Sequence, residues 1–184
     1  MINVYKGHRL IFIDETGTNT TMTRSYARSS IGERAICSAP VNYGNNVTII
    51  GALDLGGIVA AMSINGSADG DVFITFVREV LVPELRPNDV VIMDNLNVHK
   101  NFEVEKVINE AGSLLIFLPP YSPDFNPIEQ CWSKVKAYLR SIEARTCGAL
   151  DQAITDAINS ITSEDAYGWF SHSGYRIHYL MEML

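Results

Sequence analysis

The sequence predicts an α/β fold in which a mixed five-stranded sheet carries helices on both faces. Strand-like apolar runs open the chain, helical patterns then alternate with two further strands, and helical patterns fill the last third. The length of 184 residues suits one domain. The share of apolar residues, 47% against 19% charged, is typical of a folded core and excludes a disordered chain. We therefore treat residues 1–184 as a single domain.

The first third of the chain predicts an antiparallel meander. Residues 9–14 form an apolar run that stops on Asp14, as expected for a central strand buried on both faces. Two β-rich runs, 47–54 and 58–64, flank a Gly-Gly turn and predict a hairpin. A weak pattern predicts another short strand at 33–38.

The rest of the chain alternates between helix and strand periodicity. The predicted helices are 69–85, 101–111, 127–143, 148–161 and 164–171, and the predicted strands are 89–93 and 113–118. In the helix 127–143 one face is apolar, formed by Ile128, Trp132, Val135, Leu139 and Ile142. Strands joined through helices run parallel, so this half of the sheet should be parallel. The order β-β-β-α-β-α-β-α-α is that of the ribonuclease H-like fold.

Charge, hydropathy and cysteine spacing argue against several functions. Acids outnumber bases by 21 to 14, which by itself argues against a general nucleic-acid-binding protein. No window of 18 apolar residues predicts a membrane span, and the start lacks a secretory pattern, so we expect a cytoplasmic protein without a membrane partner. Three cysteines without C-x-x-C or zinc-finger spacing indicate reduced, partly buried thiols.

Three acids occupy positions that suit a metal site. Asp14 and Asp94 each end a predicted central strand, and Glu129 lies in the first turn of the long helix. Ends of adjacent strands lie about 5 Å apart, so acids there can converge, and a helix packed across them can add a third. Carboxylate oxygens suit Mg²⁺ or Mn²⁺, and a pair of such ions can drive phosphoryl transfer.

Each acid also has an ordinary structural interpretation. Asn126 could cap the long helix, and Glu129 could complete a capping box with it. Asp14 and Asp94 could be turn residues at strand ends. The joint pattern, rather than any single acid, favours the metal site.

Long sequence blocks around these acids resemble the catalytic domain of mariner-type DDE transposases, in particular the bacterial insertion-sequence branch. The blocks are FIDET at 12–16, MDNLNVHK at 93–100, LPPYSPDFNPIEQCWSKVK at 118–136 and WFSHSG at 169–174. The 34 residues between Asp94 and Glu129 match the spacing of the family's second and third acids. The resemblance implies that Asp14, Asp94 and Glu129 are the catalytic, metal-binding triad.

The resemblance also implies a reaction and a set of partners. The expected reaction is metal-dependent cleavage at transposon ends, followed by attack of the freed 3′-hydroxyl on target DNA, commonly at TA. The expected cofactor is Mg²⁺, with Mn²⁺ as a substitute and two ions bound. A homodimer is the expected active form, acting near the nucleoid. Only 13 residues precede Asp14, so we expect the family's helix-turn-helix region to be absent here and supplied, if at all, by a separate polypeptide.

Five further residues are candidates for DNA contact. Lys136 and Arg140 continue the helix stripe of Glu129 and would suit a phosphate backbone. Tyr121 could stack on a base, and Asn95 and His99 could contact DNA. For Asn95 a turn or an orienting role towards Asp94 remains an alternative, and for His99 a helix start or plain surface exposure does.

Two rival functions stay open at this point. One is a non-enzymatic remnant or interaction module that keeps the fold, and the other is a ribonuclease H-like nuclease or resolvase that stops at hydrolysis. The intact triad and the intact block at 118–136 favour the transposase.

Overall fold

The computed structural model describes residues 7–42, 44–94, 102–120 and 122–175. The strands are β1 (Leu10–Asn19), β2 (Asn46–Asp54), β3 (Gly57–Asn65), β4 (Val90–Met93) and β5 (Leu114–Phe117). The α-helices are α1 (Gly70–Phe76), α2 (Phe102–Glu110), α3 (Ile128–Ile142), α4 (Cys147–Asn159) and α5 (Ser163–His172). Among the helices so described, none is long and apolar enough to cross a membrane.

The five strands form one sheet in the order β3-β2-β1-β4-β5. The pairs β1–β2 and β2–β3 are antiparallel, whereas β1–β4 and β4–β5 are parallel. The predicted meander and crossovers are therefore confirmed. The crossover connections place β1 at the centre of the sheet.

Strand β1 continues past the point where the sequence pattern ends. The apolar run stops at Asp14, but the strand extends to Asn19 because β2 pairs with it as far as Asn46. The threonines in this extension are well suited to a strand, and Thr16 and Thr18 are buried. Asp14 is therefore inside the strand, although it lies just past the last residue paired with β4.

Alternation along β1 divides the core into two layers. Leu10 and Phe12 face a layer built mainly from α3, α4 and α5. Ile11 and Ile13 face a second layer that contains residues of α1 and α2. Side chains of a strand alternate between the two faces, so Asp14 shares the face of Phe12 and the helix α3.

The helix predicted at 69–85 is interrupted. Its α-helical part ends at Phe76, and π-helical (Val77–Leu81) and 3₁₀ (Val82–Glu84) segments follow. Pro83 gives the physical reason, since its ring clashes with the carbonyl four residues earlier and it has no N–H to donate. The backbone N–H of Val82 accordingly donates to the carbonyl oxygen of Val77, five residues back.

The remaining helices match the prediction closely, with one exception in the long one. Ile128, Trp132, Val135 and Leu139 of α3 are buried as expected, together with Cys131. Ile142 was predicted to face the core but is 48% exposed. It is the last residue of α3, and the next residue, Glu143, turns into the left-handed conformation with φ of 55°.

The segment between β1 and β2 contains no helix or strand in its described part, so the short strand expected at 33–38 is wrong. Its large apolar residues do not show the alternation of buried and exposed side chains that is typical of a strand. Four of them are almost fully exposed: Tyr26, Ile31, Ile36 and Val41. At its start, Arg145 donates to the carbonyl oxygens of Thr20 and Met22.

Candidate active site

Asp14 and Asp94 follow a pair of neighbouring residues on parallel strands. The last paired residues of β1 and β4 are Ile13 and Met93, and each is followed directly by an aspartate. Parallel strands lie about 5 Å apart, so the two aspartates leave the paired region side by side. Asp14 is 9% exposed, and Asp94 is half-buried. This is the juxtaposition that the sequence predicted from the two strand ends.

Glu129 approaches from α3, which packs across β1. It is the second residue of that helix and is exposed at the edge of the buried face. The capping-box alternative is wrong, because no side chain caps α3 and the residue before the helix is Pro127. The side-chain oxygen of Asn126 is buried and has no hydrogen-bond partner among the described residues. Glu129 is thus available for a role other than capping.

The surroundings of Asp14 disfavour its charged form. The pKa of Asp14 is raised to about 7, mainly because burial disfavours its charged form. The charges of Glu129 and Asp94 raise it further, whereas hydrogen bonds from the Glu15 backbone and the Trp132 side chain lower it. Glu129 and Asp94 therefore lie close enough to Asp14 for their charges to disfavour its ionisation.

A divalent cation fits this donor set. All three groups are carboxylates, the hard oxygen donors preferred by Mg²⁺ and Mn²⁺. A cation would favour the charged form of Asp14, which burial and then the charges of Glu129 and Asp94 disfavour. Within the ranges that the structure describes, no three Asp, Glu, His or Cys side chains are already gathered closely enough to hold a metal ion. The acids therefore share one region without forming a closed ligand cluster.

Trp132 contacts Asp14 directly, which the sequence pattern did not predict. Its indole Nε1 donates a hydrogen bond to Oδ2 of Asp14 at 3.2 Å in the buried interior. Periodicity assigned Trp132 only to core packing, and it is indeed 2% exposed. A feature of the sequence that could have indicated this contact is Gly51, which lies within a β-rich run. A glycine inside a strand often marks a place where another part of the protein comes close to the backbone.

Tyr175 supports the loop that leads to Glu129, and it too was missed by sequence reasoning. Its hydroxyl donates to the carbonyl oxygen of Phe125 at 2.7 Å. Its ring packs against Phe12 of β1 and Phe170 of α5, at centroid distances of 5.1 and 5.7 Å. The chain after α5 therefore connects the sheet to the loop ahead of α3.

The candidates for DNA contact divide into two groups. Lys136 and Arg140 lie on α3 and are half-buried. At about 1.5 Å per residue they lie about 10 and 16 Å along the helix axis from Glu129. Asn95, His99 and Tyr121 lie outside the described residues.

The strand order, with an antiparallel half and a parallel half around a central β1, defines a ribonuclease H-like domain. Comparison with family models identifies the particular family. The model described as DDE superfamily endonuclease matches residues 9–151, which include Asp14, Asp94 and Glu129. The chain therefore belongs to the DDE superfamily endonucleases.

Solved structures of Mos1 transposase share the fold at low sequence identity. The Mos1 paired-end complex with the left transposon end matches with a TM-score of 0.72 at 15% identity, covering 90% of this chain and 52% of that one. The Mos1 strand transfer complex matches with a TM-score of 0.70 at 14% identity, covering 96% and 54%. The Mos1 catalytic domain with raltegravir and Mg matches with a TM-score of 0.62 at 11% identity, covering 91% and 81%.

The likeness covers a different share of each of these Mos1 chains. The chain spans about half the length of the Mos1 chains in the paired-end and strand transfer complexes, and four-fifths of the catalytic domain. A comparison with curated proteins finds no match.

Proposed function

We propose that this chain is the catalytic domain of a mariner-type transposase, of the bacterial insertion-sequence branch, which cleaves transposon ends and joins them to target DNA. The observation that carries the proposal is that Asp14 and Asp94 directly follow the paired residues Ile13 and Met93, while α3, which begins with Ile128 and Glu129, packs across β1. The match to DDE superfamily endonucleases over residues 9–151 supports the same conclusion. The likeness to Mos1 structures solved with transposon-end DNA supports the choice of substrate.

In the proposed site, Asp14, Asp94 and Glu129 hold Mg²⁺, with Mn²⁺ as a substitute and two ions in the active complex. Such ions would supply positive charge to the reacting phosphate and activate the attacking oxygen. Mos1 catalytic-domain structures with Mg and with Mn support this choice. Asp14 is set in the buried central strand, and Glu129 in the first turn of a helix whose inner face is buried.

The reaction proposed has two steps with the same kind of bond exchange. Water first attacks the phosphate at the transposon end, the P–O bond breaks, and a 3′-hydroxyl is released. That hydroxyl then attacks a target phosphate, commonly at TA, forming a new phosphodiester and releasing a target 3′-hydroxyl. Lys136 and Arg140 would lie along the DNA backbone beyond Glu129 and bind its phosphates.

The proposed active complex contains more than this chain. Because the domain carries a net charge of −7, DNA affinity should depend on partners that contribute positive charge. We propose a homodimer bound to paired ends, with end recognition by a helix-turn-helix region outside this sequence.

The test uses the purified chain and a DNA duplex carrying the inverted repeats that flank its gene. With Mg²⁺ or Mn²⁺ we expect nicked and joined products, separated on denaturing gels. Asp94→Asn should abolish both products. Asp124→Asn is the matched control, because Asp124 is an exposed aspartate in the loop before α3.

Each result has a definite consequence. Activity of Asp94→Asn equal to that of the wild type would refute the triad. Hydrolysis without any joined product, at supplied target DNA and with both ends present, would instead identify a nuclease of the same fold.

A further inference from the structure

Trp132 and Asp14 come from different layers of the molecule and meet in its interior. Trp132 projects from α3 towards the sheet and is 2% exposed. Its Nε1 lies 3.2 Å from Oδ2 of Asp14, 118 residues away in the chain. An indole nitrogen can only donate, and a carboxylate oxygen can only accept, so the bond has one direction.

Gly51 makes this approach possible. It is the residue of β2 paired with Asp14 across the antiparallel ladder. A Cβ atom at position 51 would lie 2.6 Å from Cη2 and 3.2 Å from Cζ2 of Trp132. These atoms belong to the same side of the indole ring as Nε1. The ring edge therefore passes over the bare backbone of Gly51 to reach the carboxyl group beyond it.

Core packing alone does not require this arrangement. A purely apolar side chain at position 132 could also contribute to this core layer, but it would bring no donor to the buried Asp14 oxygen. A donor and a buried acceptor thus meet at the point where β2 carries no side chain.

We propose that Trp132 is a positioning residue, whose indole N–H fixes the orientation of the Asp14 carboxyl group for cation binding, with Gly51 providing the room for the ring. The inference rests on the proposed function, because it assigns Asp14 to the cation. The bond from Trp132, together with the one from the Glu15 backbone, removes rotational freedom from the group, and a carboxylate keeps further lone pairs that can bind a cation. Groups that orient metal ligands in this way commonly affect metal affinity.

The first experiment compares Trp132→Phe with Trp169→Phe, the only other tryptophan of the sequence. Trp169 packs at the margin of the same core layer and serves as the control for loss of an indole. Mn²⁺ affinity is measured by electron paramagnetic resonance, and folding by thermal unfolding without cation. We expect Trp132→Phe to weaken Mn²⁺ binding about tenfold, the lower end of the range for residues that support a ligand. Trp169→Phe should bind Mn²⁺ like the wild type.

The second experiment keeps Trp132 in place and therefore does not depend on the folding of Trp132→Phe. In the Trp169→Phe background, ¹⁵N-indole labelling gives one tryptophan side-chain N–H signal. We expect this signal to shift as Mg²⁺ is added, and the shift to vanish when Asp14→Asn is introduced. A signal that stays fixed while Mg²⁺ binds through Asp14 would overturn the inference.

Asp14→Asn separates this inference from the proposed function. If Asp14→Asn binds Mn²⁺ as tightly as the wild type, the metal assignment within the proposed function fails. If Asp14→Asn loses binding while folded Trp132→Phe binds like the wild type, only the role of Trp132 fails. Gly51→Ala is a third variant for the same Mn²⁺ measurement. We expect it to weaken Mn²⁺ binding, because the added methyl group would displace the indole ring of Trp132.

Discussion

The hydroxyl of Tyr175 donates a hydrogen bond to the backbone carbonyl oxygen of Phe125, which lies 50 residues earlier. Phe125 ends the short 3₁₀ turn Pro123–Phe125, which leads into α3 and Glu129. Burial raises the pKa of the Tyr175 hydroxyl, so it remains a neutral donor throughout the physiological range. One phenol therefore connects the chain after α5 to the backbone that carries an acid of the proposed triad.

Tyr175→Phe should lower DNA cleavage several-fold while removing only about 1 kcal/mol of stability, the usual contribution of one hydrogen bond. Phenylalanine keeps the ring and its packing against Phe12 and Phe170. What is lost is the hydrogen bond from the hydroxyl to the loop before α3. Cleavage rate and urea unfolding are measured on the same protein, with the exposed Tyr26→Phe as control. Unchanged cleavage despite the expected loss of stability would limit the bond to a folding role.

Arg9→Met should destabilise the fold by about 3–5 kcal/mol, as expected when a buried ion pair loses one partner. Arg9 contacts Asp54 at 2.7 Å and Asp89 at 3.1 Å, and its side chain is 10% exposed. The substitution leaves two buried carboxylates without their cation. Urea unfolding gives the change directly.

Arg78→Met is the matched control for Arg9, since Arg78 faces Glu103 at 3.7 Å and both side chains are about half-exposed. Its effect should stay below about 1 kcal/mol. If Arg78→Met reduced the free energy of unfolding as much as Arg9→Met does, burial of the Arg9 ion pairs would not explain the effect.

Stability should depend on pH through Asp165 at the start of α5. The pKa of Asp165 is lowered, first by the hydrogen bond from Lys134 and then by one from the backbone of Thr162. A lowered pKa in the folded state stabilises the protein above the ordinary aspartate value near 3.9. This stabilisation is lost as the pH falls through the folded-state pKa.

The comparison for Asp165 is a series of unfolding measurements from pH 7 to pH 3. Wild type should exceed Asp165→Asn in stability at pH 7, and the difference should shrink below about pH 4. Asp151→Asn, at an exposed position in α4, should show no such trend. A difference that stays constant with pH would exclude Asp165 as its source.

Asp14→Asn should raise the thermal unfolding temperature of the cation-free protein at pH 8 by a few degrees. At that pH, above the raised pKa of about 7, a charged carboxylate is buried beside two other acids. For a chain of this size each kcal/mol corresponds to about 2–4 °C. Differential scanning calorimetry measures the shift, and Asp124→Asn should cause none.

Added Mg²⁺ completes the Asp14 test. It should raise the unfolding temperature of the wild type, because a ligand of the folded state stabilises it, and should have little effect on Asp14→Asn. An equal response of both proteins would place the cation elsewhere.

Cys37 and Cys131 should differ sharply in their reactivity towards a thiol reagent at neutral pH. Cys37 is exposed, whereas Cys131 is buried and its pKa is raised to about 12. Since the thiolate is the reactive form, Cys37 should be labelled first and Cys131 only after unfolding. Mass spectrometry of timed samples identifies the sites. Rapid labelling of Cys131 in the folded protein would contradict this order.

Sequence periodicity predicted the elements that depend on local pattern. The hairpin around Gly56, the parallel strands ending before Asp94 and the buried face of α3 as far as Leu139 all follow from apolar spacing, and each is confirmed. The pattern failed where tertiary pairing or a single residue overrides it. Strand β1 continues beyond Asp14 because β2 pairs with it, and Pro83 interrupts the helix predicted at 69–85.

By itself the sequence determined the order of strands and helices and the candidate acids Asp14, Asp94 and Glu129, because periodicity and spacing are properties of the chain alone. Only the tertiary structure decided what surrounds those acids. The indole of Trp132 reaches Asp14 across Gly51, and Tyr175 reaches the loop before Glu129. These contacts join residues 50 to 118 positions apart, and such separations leave no periodic trace. They arise when packing brings α3 and the end of α5 onto the central strand.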